Sequence, residues 1–168
     1  MFSKDELDYL KKIPIRKRAK VIPYDPELKK IAGKIIESVK DVFTNLEIKH
    51  MGASALKISG QNDLDIYAFS NPSEFNKYLP GLIKIFGEPL HKHETFIEWN
   101  FKKRKFNVQF YLTQKDSPTM QKQIKVFEML KEKPELLKEY ENLKYSLDKK
   151  SFREYQKKKY DFYHKILE

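Results

Sequence analysis

The residues best placed to do chemistry lie in one stretch, Met51 to Phe69, MGASALKISGQNDLDIYAF. Asp63 and Asp65 stand two positions apart in the alternating run DLDIYAF. Successive side chains of a strand point to opposite faces, so both carboxylates share a face, about 7 Å apart along the strand. Leu64, Ile66 and Ala68 then point the other way, toward a core. Two carboxylates on one face repel unless a proton or a cation lies between them. An all-oxygen donor set suits a hard cation such as Mg²⁺, which is commonly held by one or two carboxylates plus substrate phosphates. Upstream, Gly52-Ala53-Ser54 is a small-residue turn whose backbone N–H groups and Ser54 hydroxyl suit phosphate oxygens. Taken without that turn, the Asp pair reads only as the outward face of a half-buried strand. Ser54 also suits the cap of a tight turn, which is compatible with the phosphate role.

The elements that must hold this stretch follow from periodicity and punctuation. Residues 2–12 read as a short helix ended by Pro14, followed by a basic connector, IRKRAK. Val21-Ile22 reads as a short edge strand or an extended lead-in. Asp25-Pro26 signals a helix start, and Leu28, Ile31, Ala32, Ile35, Val39, Val42 and Phe43 mark its apolar side. Residues 46–51 alternate and predict the first core strand. A helical turn is expected over 54–58, a loop over 59–62, and the acid-bearing strand over 63–69. A helix starts at Asn71-Pro72, carries Pro80 inside it, and stops at Gly87 and Pro89. Residues 91–101 and 106–112 predict two strands joined by the basic tip Lys102-Lys103-Arg104-Lys105. Three helices follow, over 118–131, 134–147 and from Ser151 onward.

Other polar residues carry weaker signals. His50, two residues before the turn, could steady the loop or contact a ligand, and reads first as a structural histidine at a strand end. His91 and His93 share a spacing that permits metal binding, but no third ligand accompanies them. Trp99 reads as core. The tip at 102–105 reads as a solvated turn or as a guide for a polyanion. The last helix interleaves Lys157, Lys158 and Lys159 with Tyr155, Tyr160 and Tyr163, which permits nucleic-acid contact and is equally explained by packing.

The chain has 168 residues, enough for one ordinary domain. It has no cysteine, which excludes disulfides and thiolate metal centres. No apolar run approaches membrane-spanning length, and the N-terminus lacks the apolar stretch of a secretory signal. Cytoplasmic location and no membrane partner are the resulting expectations. The net charge of +10 points to polyanionic partners, nucleotides or nucleic acid, or to a Lys- and Glu-rich composition of the thermophile kind. The domain expectation is an N-terminal helix and basic connector over 1–20, then a single domain over 21–168 whose helical tail, 119–168, packs on it. The fold class expected is α+β (α/β), a small mixed sheet flanked by helices with a helical C-terminal segment.

A Gly-Ser-type turn, a spacer of about ten residues, then Asp-hydrophobic-Asp on the next strand resembles the nucleotidyltransferase superfamily, the polymerase-β-like fold. More of the chain resembles one branch, the GrpB family. VIPYDPEL is similar to that family's opening, with Leu28 where Trp is common. KHMGASALKISGQNDLDI is similar to its central signature, and VFEMLKEKPELLKEYENLKYSL with YQKKKYDFYHKIL to its C-terminal helices. The resemblance covers roughly residues 21–168.

That resemblance implies a nucleotidyltransferase-like fold and Mg²⁺-dependent transfer of a nucleotidyl group from a nucleoside triphosphate. Asp63 and Asp65 would be the catalytic metal ligands. Gly52, Ala53 and Ser54 would bind the phosphates, with Ala53 standing where a serine is usual and Ser54 where the family has Thr. The family's third carboxylate belongs on the strand over 106–112, where this chain offers Asn107 and Gln109. Neither is acidic, and a neutral amide cannot act as a general base. Glu98 on the neighbouring strand is a candidate substitute if it faces the pocket. Three functions compete: a Mg²⁺-dependent nucleotidyltransferase with an unknown acceptor, a nucleotide-binding module without turnover, and a basic protein that binds nucleic acid or another partner.

Overall fold

The computed structural model describes residues 1–168. Its elements, in chain order, are α1 (Lys4–Lys12), α2 (Glu27–Lys40), β1 (Glu47–Met51), α3 (Gly52–Ala55), β2 (Asp63–Phe69), α4 (Phe75–Phe86), β3 (His91–Lys92), β4 (Phe96–Lys103), β5 (Phe106–Thr113), α5 (Pro118–Glu132), α6 (Pro134–Ser146) and α7 (Phe152–Leu167). A single five-stranded sheet runs in the order β1-β2-β5-β4-β3. Only the β2–β5 pair is parallel; the others are antiparallel. This is the small mixed sheet flanked by helices, with a helical C-terminal segment, that the sequence predicts.

Two compact units make up the chain. One comprises Tyr24–Lys57 and Asn62–Gln121, and the other Met1–Pro23, Ile58–Gln61 and Lys122–Glu168. In the first, Asp25 caps α2: the Glu27 N–H donates to Asp25 Oδ1 at 2.9 Å, and that bond is the main reason the Asp25 carboxyl sits below its ordinary value. The helix lays Leu28, Ile31, Ile35 and Val39 on one face, 3.6-residue spacing delivering them to the same side. These pack with Leu82 of α4 against Leu64, Ile66, Val108, Phe110 and Leu112 of the central strands, all five with 0% exposure. Each such burial contributes about 1.5–3 kcal/mol. Trp99 of β4 is buried too, and its Nε1 donates to the Gly87 carbonyl at 2.8 Å.

The second unit has its own apolar cluster, including Leu10, Ile13, Val21, Leu147, Phe152 and Tyr155. Ser3 closes the start of α1 with a capping box to Glu6. The connector after α1 is tied to the α6–α7 loop by backbone bonds: Ala19 N–H to Lys150 O and Lys149 N–H to Ala19 O, both 2.8 Å.

Some boundaries differ from expectation. The predicted 91–101 strand is two strands folded back on each other, with His91 opposite Glu98 and the His93 N–H donating to the Phe96 carbonyl at 2.8 Å. The predicted Val21–Ile22 strand is one bridge, Ile22 to Gly60. The helical turn expected over 54–58 sits earlier, at Gly52–Ala55, because Lys57 adopts a left-handed φ of 59° that no right-handed turn can include. A single 3₁₀ turn, Pro72–Glu74, precedes α4, and Pro80 is accommodated inside that helix.

Candidate functional site

The register of three adjacent strands decides what stands beside the two acids. Along β2, Leu64, Ile66 and Ala68 are buried while Asp63, Asp65 and Tyr67 are half-buried, so the acids do share the face away from α2 and α4. β5 runs parallel in register, Asp63 opposite Asn107 and Asp65 opposite Gln109. Asn107 Nδ2 lies 3.4 Å from Asp63 Oδ1, a long hydrogen bond. On the other side β1 is antiparallel, with Met51 opposite Asp65. The chain therefore leaves β1 and enters the Gly52 turn level with Asp65.

That turn and Asp65 meet closely. Gly52 has φ +80°, a conformation that L side chains rarely adopt, and a Cβ built on it would stand 2.6 Å from Asp65 Oδ2. Only a residue without a side chain lets the backbone lie so near the carboxylate. Gly52 opens α3, whose cap, Met51, offers no side-chain acceptor. The first N–H groups of such a turn have no partner within it.

Ser54 is buried, 5% exposed, and its Oγ lies 2.8 Å from His50 Nε2. Burial pushes the His50 pKa down from 6.5 to about 4, so the ring is neutral at pH 7 and presents one N–H and one lone-pair nitrogen. His50 thus ties the end of β1 to the Ser54 hydroxyl, the loop-steadying role expected of it. Ser54 hydrogen bonds back to the end of β1, and its capacity toward a phosphate is what remains after that bond.

Glu98 shares the polar face but stands opposite Tyr111, one rung beyond Asn100 and Gln109. It is one strand further from β2 than Gln109 is. Burial raises its pKa, and His91 and His93 partly counter this. The structure brings together Gly52, Asp63, Asp65, Asn107 and Gln109; the Ser54 hydroxyl turns to His50, on the rung of Ile66, and Glu98 lies off the rungs of the two acids. No group of three or more His, Asp or Glu side chains is disposed to hold a metal by protein ligands alone, His91 and His93 included.

Sequence reasoning missed two features. Tyr67 and Tyr111 stack with ring centroids 4.9 Å apart and planes 10° apart, forming an aromatic floor one rung beyond Asp65 and Gln109. Alternation after Asp65 marks Tyr67, but only the parallel register reveals its partner. Asn62, just before Asp63, is left-handed at φ 65°, and its buried Oδ1 accepts no hydrogen bond. Asn is among the few non-glycine residues that tolerate that conformation, which is the signal available beforehand.

The basic tip is partly neutralised. Arg104 pairs with Glu27, and Lys105 Nζ lies 3.3 Å from Asp25 Oδ2. Lys102 is exposed and stands on the rung of Asn107 and Asp63. A cleft of about 500 Å³ lies by that tip, among Asp25, Glu27, Lys30, Lys34, Lys103 and Arg104; neither acid of β2 lines it.

Comparison with known proteins places this geometry in context. The model of the GrpB protein family matches residues 18–168. Comparison with curated proteins gives no match. Solved structures with distant similarity include Cid1 as an RNA terminal uridylyl transferase (14% identity, TM-score 0.40, covering 82% of this chain and 45% of that one). Cid1 poly(U) polymerase with MgGTP bound gives 10% identity and a TM-score of 0.43, covering 82% and 46%. A cytoplasmic RNA terminal U-transferase gives 15% identity and 0.40, covering 82% and 44%. The chain spans less than half the length of these proteins.

Proposed function

The chain belongs to the GrpB protein family, and from that footing we propose that it binds Mg²⁺ and a nucleoside triphosphate on the polar face of β1, β2 and β5, and transfers the nucleotidyl group to an acceptor. The observation that carries the reading is the approach of Gly52 to Asp65 Oδ2, which sets an uncapped turn of backbone N–H groups against a carboxylate. A turn and an acid held that close suit a ligand carrying phosphates and a cation together.

The donor set fits the ion. Asp63 and Asp65 supply two carboxylates on one face, and Mg²⁺ commonly takes one or two with phosphate oxygens completing its shell. Asp63 and Asp65 would hold the metal, which when bound neutralises phosphate charge and orients the triphosphate. The N–H groups of the Gly52 turn would take phosphate oxygens, and Lys102 lies on the rung where a further phosphate charge can be met. The stacked Tyr67–Tyr111 pair offers a flat apolar surface to a base. In the transfer, an acceptor oxygen bonds to the α-phosphorus, the bond to the bridging oxygen breaks, pyrophosphate leaves, and the acceptor proton passes to solvent.

The test is thermal stability in the presence of Mg²⁺ with each nucleoside triphosphate. At about 100-fold excess over Kd the gain is about 2.7 kcal/mol, a rise of roughly 5–10 °C for a chain of this size. Asp63→Asn and Asp65→Asn each abolish the rise. An equal rise in those variants refutes the site, as does the absence of any rise with all four nucleotides. One observation favours a second reading, binding without turnover: Asn107 and Gln109 stand opposite the two acids, and neither can take a proton. A persistent thermal shift with no pyrophosphate released on long incubation selects it.

A further inference from the structure

The chain's positive charge is unevenly shared. The unit of Met1–Pro23, Ile58–Gln61 and Lys122–Glu168 holds twenty Lys and Arg against twelve Asp and Glu, so it carries +8 of the net +10. Much of this charge lies in one strip. The connector after α1 runs beside the loop between α6 and α7, with Arg18 bridged to Ser151 and the Phe152 N–H donating to the Lys17 carbonyl at 2.8 Å. Ala19 and Val21 turn inward and are buried, and Lys17 lies over the Phe152 ring at 4.1 Å. Arg16, Arg18 and Lys20 therefore stand outward, Arg18 and Lys20 about 7 Å apart by the rise of extended backbone. Lys149 and Lys150 are exposed on the adjoining loop. None of these five cations forms an ion pair within the chain. The acids nearest in sequence are Asp148, which accepts the Val21 N–H at 2.9 Å, and Glu154.

We propose that this strip, Arg16, Arg18, Lys20, Lys149 and Lys150, is a docking surface for the phosphodiester backbone of nucleic acid. Backbone hydrogen bonds to buried positions hold the cations in a row, so little order is lost when they meet a regularly spaced polyanion. A row of outward cations can meet the evenly repeated phosphates of one strand, each contact releasing condensed counterions. Two of the five are arginines, whose planar fork suits phosphate. A lipid surface asks for an apolar face beside the cations, and the strip offers one exposed aliphatic side chain, Ile15. The inference is independent of the triphosphate site, since Asp63→Asn leaves every residue of the strip in place.

Fluorescence anisotropy of the full chain with a labelled single-stranded RNA of about 20 nucleotides, titrated from 50 to 200 mM KCl, tests it. For single strands the salt slope falls by about 0.7 per phosphate contact. Arg16→Ala/Arg18→Ala/Lys20→Ala should lower the slope by about 2, so across this range wild type loses about twentyfold more affinity than the variant does. Lys149→Ala/Lys150→Ala moves the slope the same way. Lys29→Ala/Lys40→Ala/Lys84→Ala, which removes equal charge from exposed positions elsewhere, leaves it unchanged. An unchanged slope in both strip variants overturns the proposal, as does an equal change in the control. Salt-sensitive binding to phosphatidylserine vesicles without binding to RNA also overturns it. Melting temperatures equal to wild type confirm that the variants are folded.

Discussion

Substituting Gly52 by alanine separates two effects that the turn combines. The first is conformational: a non-glycine residue at φ +80° costs about 1–2 kcal/mol. The second is steric. The new Cβ would lie 2.6 Å from Asp65 Oδ2, and moving a carboxylate aside adds about 1 kcal/mol, the low end for overpacking because the obstacle is the end of a side chain. Gly52→Ala should therefore lose about 2–3 kcal/mol in urea unfolding. In an Asp65→Ala background the obstacle is gone and the same substitution should cost only the conformational part. The coupling between the two positions is then about 1 kcal/mol, well above the few tenths seen for independent sites. Gly33→Ala is the control: Gly33 lies inside α2 with no atom within 4 Å of its Cβ position, and alanine there should stabilise by about 0.5–1 kcal/mol. The same cost for Gly52→Ala with and without Asp65 would show that turn and acid do not touch, and the proposed cradle would lose its basis.

Three further outcomes follow from other parts of the fold. Because burial lowers the His50 pKa from 6.5 to about 4, the unfolded chain takes up the proton first; stability should be full above pH 6.5 and fall by up to about 3 kcal/mol toward pH 4. His50→Gln should flatten that segment of the pH profile, and an identical slope in the variant rules out His50 as its source. Trp99→Phe leaves a void and an unpaired Gly87 carbonyl and should cost about 2–4 kcal/mol; a loss under 1 kcal/mol means the indole bond contributes little. Gly81→Ala would drive a Cβ into the Phe43 ring, so the overpacking outweighs the helix-propensity gain and chemical denaturation should show a net loss near 1 kcal/mol. A more stable protein would mean that the ring swings away freely.

The acid strand was legible because its two faces differ so sharply: Asp63 and Asp65 alternate with residues that are fully buried, and the observed boundaries match the expected ones. Helix starts were legible for a similar reason, since Asp25 and Ser151 use side-chain oxygens on nearby N–H groups. The fold-back at residues 93–95 was not, because His93-Glu94-Thr95 contains no Gly, Pro or Asn to mark a turn. The His50–Ser54 bond spans a strand end and a helical turn, a junction with no period to read. Neither the pairing of Tyr67 with Tyr111 nor the position of Glu98 one rung away follows from local pattern, since both depend on which strands become neighbours. The grouping of residues 58–61 with the two ends of the chain is likewise a property of tertiary contacts, invisible to composition.

The parallel pairing of β2 with β5 has a consequence for synthesis. Asp63 meets Asn107, 44 positions further along the chain, after α4 and two antiparallel strands have been made. Until residue 113 has cleared the ribosome, the acid-bearing strand has a neighbour on one side only. Its other edge, the backbone N–H and C=O groups that later pair with β5, must wait in the meantime, open to misfolding or to another nascent chain. The hairpin of β4 and β5, whose contacts are local, is then the piece whose arrival completes the sheet and sets Asn107 and Gln109 beside the two carboxylates.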